Sequence, residues 1–204
     1  ICKGNRNDLR KRLGWKDNVI VISCRWHEPV YDVKSLIEAI PMVVKQKPTS
    51  RFLIVGAGSL TRQLKERVSD LGVSEYVSFT GKVLRNELIN YLNASDIYVS
   101  TSLSDGASAS LLEAMTCKLP VVVTEIPANR EWIVDGQNGI LFPCKDSSSL
   151  ADKLLSLISD KELRRKLANK AFNTIKYKVS WHNSSEILYN LIERLAEKRK
   201  VHGL

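Results

Sequence analysis

The chain has 204 residues, 44% hydrophobic and 26% charged, which is ordinary for a soluble globular protein able to bury a full core. No apolar run approaches the ~20 residues of a membrane-spanning helix. The net charge of +9, from 31 basic and 22 acidic side chains, suits an anionic partner (nucleotide phosphates, an acidic lipid surface or nucleic acid) or a lysine-rich solvated surface. Basic residues gather late, as Lys161, Arg164, Arg165, Lys166, Lys170, Lys176 and Lys178, then Arg194, Lys198, Arg199 and Lys200. They lack the aromatic interleaving of single-strand binders, so nucleic acid is not the expected partner. Cys2, Cys24, Cys117 and Cys144 form no CxxC pair, which argues against zinc and for buried free thiols in a reducing compartment.

In chain order, Asp8 to Gly14 reads as a short helix with a glycine stop. Val19 to Cys24 carries no charge and reads as a strand buried on both faces, with Arg25 at its carboxyl end. Open α/β sheets bind ligands at such ends, and an arginine fork suits a diphosphate. Asp32 is placed to cap a helix carrying Val33, Leu36, Ile37, Ile40 and Val44, which Pro41 should kink or end. Arg51 to Val55 is a second strand. Gly56-Ala57-Gly58 then turns into a helix from Ser59 to Leu71, stopped by Gly72. The turn invites a dinucleotide reading, but Thr61 stands where the fingerprint needs glycine. Tyr76 to Thr80 is a third strand ending at Gly81, and a helix from Arg85 or Asn86 to Asn93 follows.

The stretch from Asp96 to Thr124, DIYVSTSLSDGASASLLEAMTCKLPVVVT, reads strand, polar loop, helix, strand. The helix from Ser108 to Met115 has Leu111, Leu112 and Met115 at core spacing, Pro120 is expected to stop it, and Val121-Val122-Val123 is the next buried strand. Its first-turn amides lack intrahelical partners and carry the positive end of the helix dipole. Gly106, Ala107, Ser108, Ala109 and Ser110 have little side-chain bulk, so an anion can approach that backbone. Asp105 and Glu113 flank the place and can accept from hydroxyls. A sugar nucleotide supplies both phosphates and hydroxyls. Downstream come a short helix within Ile126 to Val134, a turn-rich link, a last strand over Gly139 to Phe142, and helices over 147–158, 160–176 and 181–199, with a break at Ser180 and Trp181. Strands alternating with helices make a doubly wound α/β domain around one parallel sheet.

The acidic pair and its flanks resemble the retaining glycosyltransferases of GT-B architecture, the family-four or "group 1" type. The signature stands here as Asp105, seven residues, Glu113, then Ala114-Met115 and Leu119-Pro120-Val121-Val122. The resemblance implies that Glu113 holds the nucleotide ribose, and that Asp105 (glutamate in the family) and the loop amides hold the donor sugar and diphosphate. It implies that Arg25 neutralises the leaving diphosphate together with a lysine five residues on. Val30 stands there, and Lys34 is the nearest replacement in sequence. Gly56 and Gly58 match a donor-lining Gly-x-Gly. Thr80-Gly81-Lys82-Val83 matches the loop where the base rests, with Gly81 and Val83 in contact. Lys82 reads as a solvated lysine that could also reach a phosphate. Glu131 and Trp132 match a segment beside the donor loop, Trp132 as packing.

The resemblance runs from about Val19 to the last helix and implies a Rossmann-like carboxyl-terminal donor domain of a two-domain enzyme that makes polysaccharide or glycolipid. The chain starts on Ile1 rather than Met, which fits a piece of a longer protein whose amino-terminal acceptor domain is absent, leaving this piece inactive alone. Trp181, Ile187, Leu188, Leu191, Ile192 and Leu195 form a stripe on a final helix expected to pack towards that domain. No metal and no cofactor are expected beyond the nucleotide-sugar substrate, since no Asp-x-Asp pair occurs. A cytoplasmic location, peripheral to an anionic membrane, fits the charge. The rivals are a binding-only nucleotide-sugar module, a GT-B-fold nucleotide-sugar isomerase, and a serine hydrolase using Ser108 and His182, which the loop before Ser108 disfavours. His27, His182 and His202 show no metal-ligand spacing.

Overall fold

Short runs of Val, Ile, Leu and Phe bury both faces, and four of the strands follow that rule, while the one over Val77–Gly81 alternates apolar and polar residues and is only half-buried. The structure is a computed structural model that describes residues 6–178. Within them, β1 (Val19–Cys24), β2 (Ser50–Val55), β3 (Val77–Gly81), β4 (Ile97–Ser100), β5 (Val121–Thr124) and β6 (Ile140–Phe142) form one parallel sheet in the order β3-β2-β1-β4-β5-β6. The helices are α1 (Arg6–Arg12), α2 (Val33–Gln46), α3 (Thr61–Asp70), α4 (Arg85–Ala94), α5 (Ala109–Thr116), α6 (Pro127–Arg130), α7 (Ser147–Ser159) and α8 (Lys161–Lys178). This is the doubly wound α/β fold expected from the sequence. The expected helix over 181–199, its break at Ser180 and Trp181, and its apolar stripe lie outside the described residues.

Side chains of each strand alternate between two cores. Val21, Phe52, Ile54, Ile97, Val99 and Val122 face α2, α3 and α7. Ile20, Ile22, Leu53, Val55, Tyr98, Val121 and Val123 face α4, α5 and α8. At the amino-terminal edge of the sheet, Asp96 Oδ2 accepts from the Ile20 amide and the Arg10 guanidinium, both at 2.8 Å. That contact clips α1 to the sheet on the side away from the strands' carboxyl ends.

Several local expectations change. Pro41 does not end its helix: α2 runs through it to Gln46, because Ile37, Ile40, Val43 and Val44 are buried on one face and their packing outweighs one lost backbone hydrogen bond. Asp32 occupies the N-cap position in the left-handed region (φ 42°), yet its carboxylate bonds the Ser35 hydroxyl at 2.6 Å rather than a helix amide. α5 stops at Thr116, before Pro120 is reached, and Lys118 turns the chain at φ 56°. Cys24 is a buried free thiol, but Cys144 is exposed and Cys117 is disulfide-bonded, not free.

The strand order reverses at β1 and β4. Connections from β1 run outward to β2 and β3, and those from β4 run to β5 and β6. Loops leaving β1 and β4 therefore part above the sheet and open a crevice at its carboxyl edge, where such sheets bind ligands.

Candidate functional site

Arg25 leaves β1 at that crevice. Its backbone amide donates to Val55 O at 3.0 Å, which continues the ladder and fixes where the side chain starts. The guanidinium then crosses to the β4 side. Nε donates to Ser100 Oγ at 2.9 Å, one terminal nitrogen donates to Ser108 Oγ at 2.5 Å, and the other lies 2.9 Å from Asp105 Oδ2. Tyr31 stacks against it, 5.7 Å from ring centroid to Cζ. The Arg25 side chain is 7% exposed and that of Asp105 17%. A guanidinium has more N–H donors than these contacts consume, so it can still donate into the crevice.

Ser108 is the N-cap of α5 and accepts from the Leu111 amide at 3.4 Å. One hydroxyl thus joins the helix start to the arginine. Ser110 in the first turn is held by the buried Tyr98 hydroxyl at 2.8 Å, and burial pushes the Tyr98 phenol pKa up. Asp105 Oδ1 accepts from the Gly106 amide at 2.9 Å. Glu113, one turn further along α5, meets Arg85 of α4 at 3.2 Å. The amides of Ala109 and Ser110 have no intrahelical acceptor and face the anion-attracting end of the dipole.

These groups line a cleft of about 440 Å³, within the usual range for small-molecule sites. Of the residues singled out in the sequence, Arg25, Gly56, Val83, Asp105, Ala107, Ser108, Ala109, Ser110 and Glu113 line it. Gly58, Gly81 and Gly106 do not. Gly56 and Gly58 lie where two loops touch: a Cβ on Gly56 (φ 130°) would sit 1.9 Å from Arg25 O, and one on Gly58 would sit 2.6 Å from His27 O. Gly81 accepts from the Gly56 amide at 2.9 Å and turns the chain at φ 72°. Glu131 and Trp132 line a separate pocket with Val134 and Lys170, away from the cleft. Lys34 lies on the exposed side of α2 near Glu38 and is not in the cleft lining.

Other contributors, apart from Lys82 of the Thr80-Gly81-Lys82-Val83 loop, are not marked by any sequence motif. Cys24, Trp26, Tyr31, Val55, Lys82 and Leu88 complete the lining, and burial raises the Cys24 thiol pKa. Behind the arginine runs a buried polar chain. Ser100 Oγ meets Ser102 Oγ at 3.1 Å, Thr124 donates to Ser102 O at 2.5 Å, and Asn129 donates to Thr124 O at 2.8 Å. Only a run of small hydroxyl residues after a buried strand could have hinted at it. The loop bearing Val30 is pinned to the β4 loop by Leu103 N to Val30 O and Thr101 Oγ1 to Tyr31 O, both 2.8 Å.

The geometry does not suit a serine hydrolase. Ser108 Oγ faces a cation and an amide, neither of which can take its proton, and His182 lies outside the described residues. His27 is wholly buried and paired with Thr61 Oγ1 at 2.9 Å. Among the described residues, no cluster of three His, Cys, Asp or Glu side chains is arranged to hold a metal ion. No helix among them is long and apolar enough to cross a membrane.

The family described as "Glycosyl transferases group 1" matches residues 5–174. The chain is 27% identical over 197 residues to the GDP-mannose-dependent monoacylated alpha-(1-6)-phosphatidylinositol monomannoside mannosyltransferase of Corynebacterium glutamicum, covering 93% of this chain and 51% of that protein. It resembles the solved C-terminal domain of the glycosyl transferase group 1 family protein LpcC from Francisella tularensis, with a TM-score of 0.78, 28% identity, and coverage of 88% of this chain and 95% of that one. A variant of TarM from S. aureus, solved with fondaparinux, alpha-GlcNAc-glycerol and UDP, gives a TM-score of 0.79 at 29% identity over 85% of this chain and 35% of that one. The chain spans about half the length of the curated relatives it matches.

Proposed function

The chain belongs to the glycosyl transferases group 1 family, and from that premise we propose that its cleft holds the diphosphate of a nucleotide-sugar donor. The observation that carries this reading is the Arg25 guanidinium, bonded to the N-cap serine of α5 at 2.5 Å and paired with Asp105, in a cleft that Glu113 also lines. Positive charge and open amides converge there on one small volume, with hydroxyl acceptors on either side. The C. glutamicum relative is GDP-mannose-dependent and TarM was solved with UDP. Those ligands differ in base and share a diphosphate, which fits a site whose donors converge on phosphate.

In this reading the diphosphate rests on the amides of Ala109 and Ser110 and against Arg25. Glu113 accepts from the ribose hydroxyls, Asp105 orients the sugar, and Val83 and the backbone near Gly81 support the base. When the bond from the sugar's C1 to the phosphate oxygen breaks, the acceptor oxygen takes its place on C1 and the acceptor proton is released. Negative charge then builds on the departing nucleoside diphosphate, where the helix dipole and Arg25 are already aimed. They take the part a divalent metal plays in other transferases. The rest of the enzyme supplies the acceptor side of the cleft, so this chain alone binds donor without transferring it. Retention of configuration follows from the likeness of the acidic pair to the retaining enzymes. The exposed lysines of α8 suit an anionic membrane face on the cytoplasmic side.

The test is a calorimetric titration of UDP and GDP, with uridine and guanosine as controls, into wild type, Arg25→Ala and Glu113→Gln. Arg25→Ala weakens the diphosphates and leaves the nucleosides nearly unaffected. Glu113→Gln replaces an acceptor oxygen by a donor and costs roughly 1.5–3 kcal/mol for any ligand carrying ribose. Equal losses for nucleoside and diphosphate in Arg25→Ala would make that residue structural, and unchanged affinity in Glu113→Gln would remove it from the site.

A further inference from the structure

The charged residues lining the cleft are Arg25, Lys82, Asp105 and Glu113. Three of them are already engaged: Arg25 is paired with Asp105 at 2.9 Å, and Glu113 with Arg85 at 3.2 Å. A diphosphate brings more than one negative charge into a place where these pairs cancel. Lys82 is the lining cation that, among the described residues, has no carboxylate partner. Its ammonium sits over the ring of Trp26, 4.8 Å from the centroid. Trp26 directly follows Arg25 and is 52% exposed, so the ring stands at the cleft mouth with its neighbour's guanidinium inside.

On the reading that the cleft holds a diphosphate, we propose that Lys82 supplies that group's second positive charge, waiting on the Trp26 face until phosphate arrives. The backbone around it is set: Gly81 turns the chain out of β3 at φ 72° and Val83 joins the cleft lining. Only the flexible stem of Lys82 has to move. An exposed ring face holds an ammonium weakly, whereas a phosphate oxygen makes a charge-assisted hydrogen bond with it, so the exchange favours ligand. Other lysines nearby do not serve. Lys65 lies over Phe79 at 5.7 Å and Lys34 faces Glu38, and neither lines the cleft. Lys82 is thus a binding residue that helps neutralise the leaving group, arriving from the β3 side of the switch point opposite α5.

The experiment titrates UDP, GDP and uridine into the 204-residue wild-type chain, Lys82→Ala and Lys82→Arg, at low and at moderate salt. Lys82→Ala binds UDP about tenfold more weakly, as for loss of one charged hydrogen bond, and binds uridine as wild type does. Its affinity for UDP also falls less steeply with salt, and Lys82→Arg recovers most of the loss. Lys82 is exposed, so the unfolding midpoint stays put. Wild-type UDP affinity in Lys82→Ala, or an equal loss for uridine, overturns this role and leaves the donor-cleft reading standing. A wild-type chain that binds neither UDP nor GDP overturns both.

Discussion

At the scale of single residues, the site depends on where the first atoms of Arg25 are held. Gly56 does that by absence, because its missing Cβ leaves room for the Arg25 carbonyl oxygen, which would otherwise be 1.9 Å away. The backbone there is also left-handed at φ 130°, which L side chains rarely adopt. Gly56→Ala should therefore cost more than about 2 kcal/mol, since strain and a backbone collision act together. Urea unfolding measures it, and a midpoint equal to wild type would contradict the tight contact. The sequence showed Gly56 and Gly58 as a turn or a ligand-lining pair without deciding between them. Both make close backbone contacts, and Gly56 also lies in the cleft lining. What no sequence pattern conveyed is that Arg25 and Asp105 pair, because that contact exists only once the sheet order sets β1 beside β4. The proposed choice of Lys82 over Lys34 has the same cause. Nearness in sequence pointed along α2, while nearness in space runs across β2 to the end of β3.

At the scale of elements, strand identity was legible because short apolar runs, six uncharged residues in β1 and residues 52–55 in β2, left little alternative. That Pro41 could end its helix was the part of the expectation that did not hold, for a related reason. A local rule about proline was applied without the burial of Ile37, Ile40, Val43 and Val44, which only the packed sheet face supplies. His27 is a second element-level feature. Its buried ring ties the β1 loop to α3: Nδ1 meets Thr61 Oγ1 at 2.9 Å, and that oxygen also accepts from the Gly58 amide at 2.9 Å. Phe79 meets it edge-on, Lys65 lies nearby, and Glu28 is the facing carboxylate. Burial first, and then Lys65, holds the His27 pKa below its ordinary 6.5, with Glu28 opposing them. The unfolded chain therefore binds this proton more readily than the folded one. Stability from His27 is intact above 6.5 and is lost as the pH falls below that value towards the lower folded pKa. Urea midpoints measured between about pH 7.5 and about pH 5 should decline in wild type, and His27→Gln should flatten part of that decline. An identical slope in both proteins would show that His27 takes no part.

At the scale of the whole molecule, the chain is one doubly wound sheet with its cleft at the reversal of strand order, and it spans about half the length of its relatives. Fold and cleft position were readable from the chain because alternation of strands and helices fixes the class, and the class fixes the edge where ligands bind. The cysteines were less readable. Spacing excluded a CxxC site but could not show that Cys117 is disulfide-bonded while Cys144 is exposed. Surface charge also proved partly structural: Arg164 donates to Leu157 O and Ile158 O at the end of α7, so it is not simply a free basic group. The central claim is the place of the diphosphate, and a crystal structure of this chain grown with UDP and EDTA tests it most directly. The account predicts diphosphate oxygens within hydrogen-bonding distance of the Ala109 and Ser110 amides and Arg25, with the ribose hydroxyls on Glu113 and no metal between them. A diphosphate seated instead beside Trp132 and Lys170, or one that binds the cleft only when a divalent metal is restored, would contradict it.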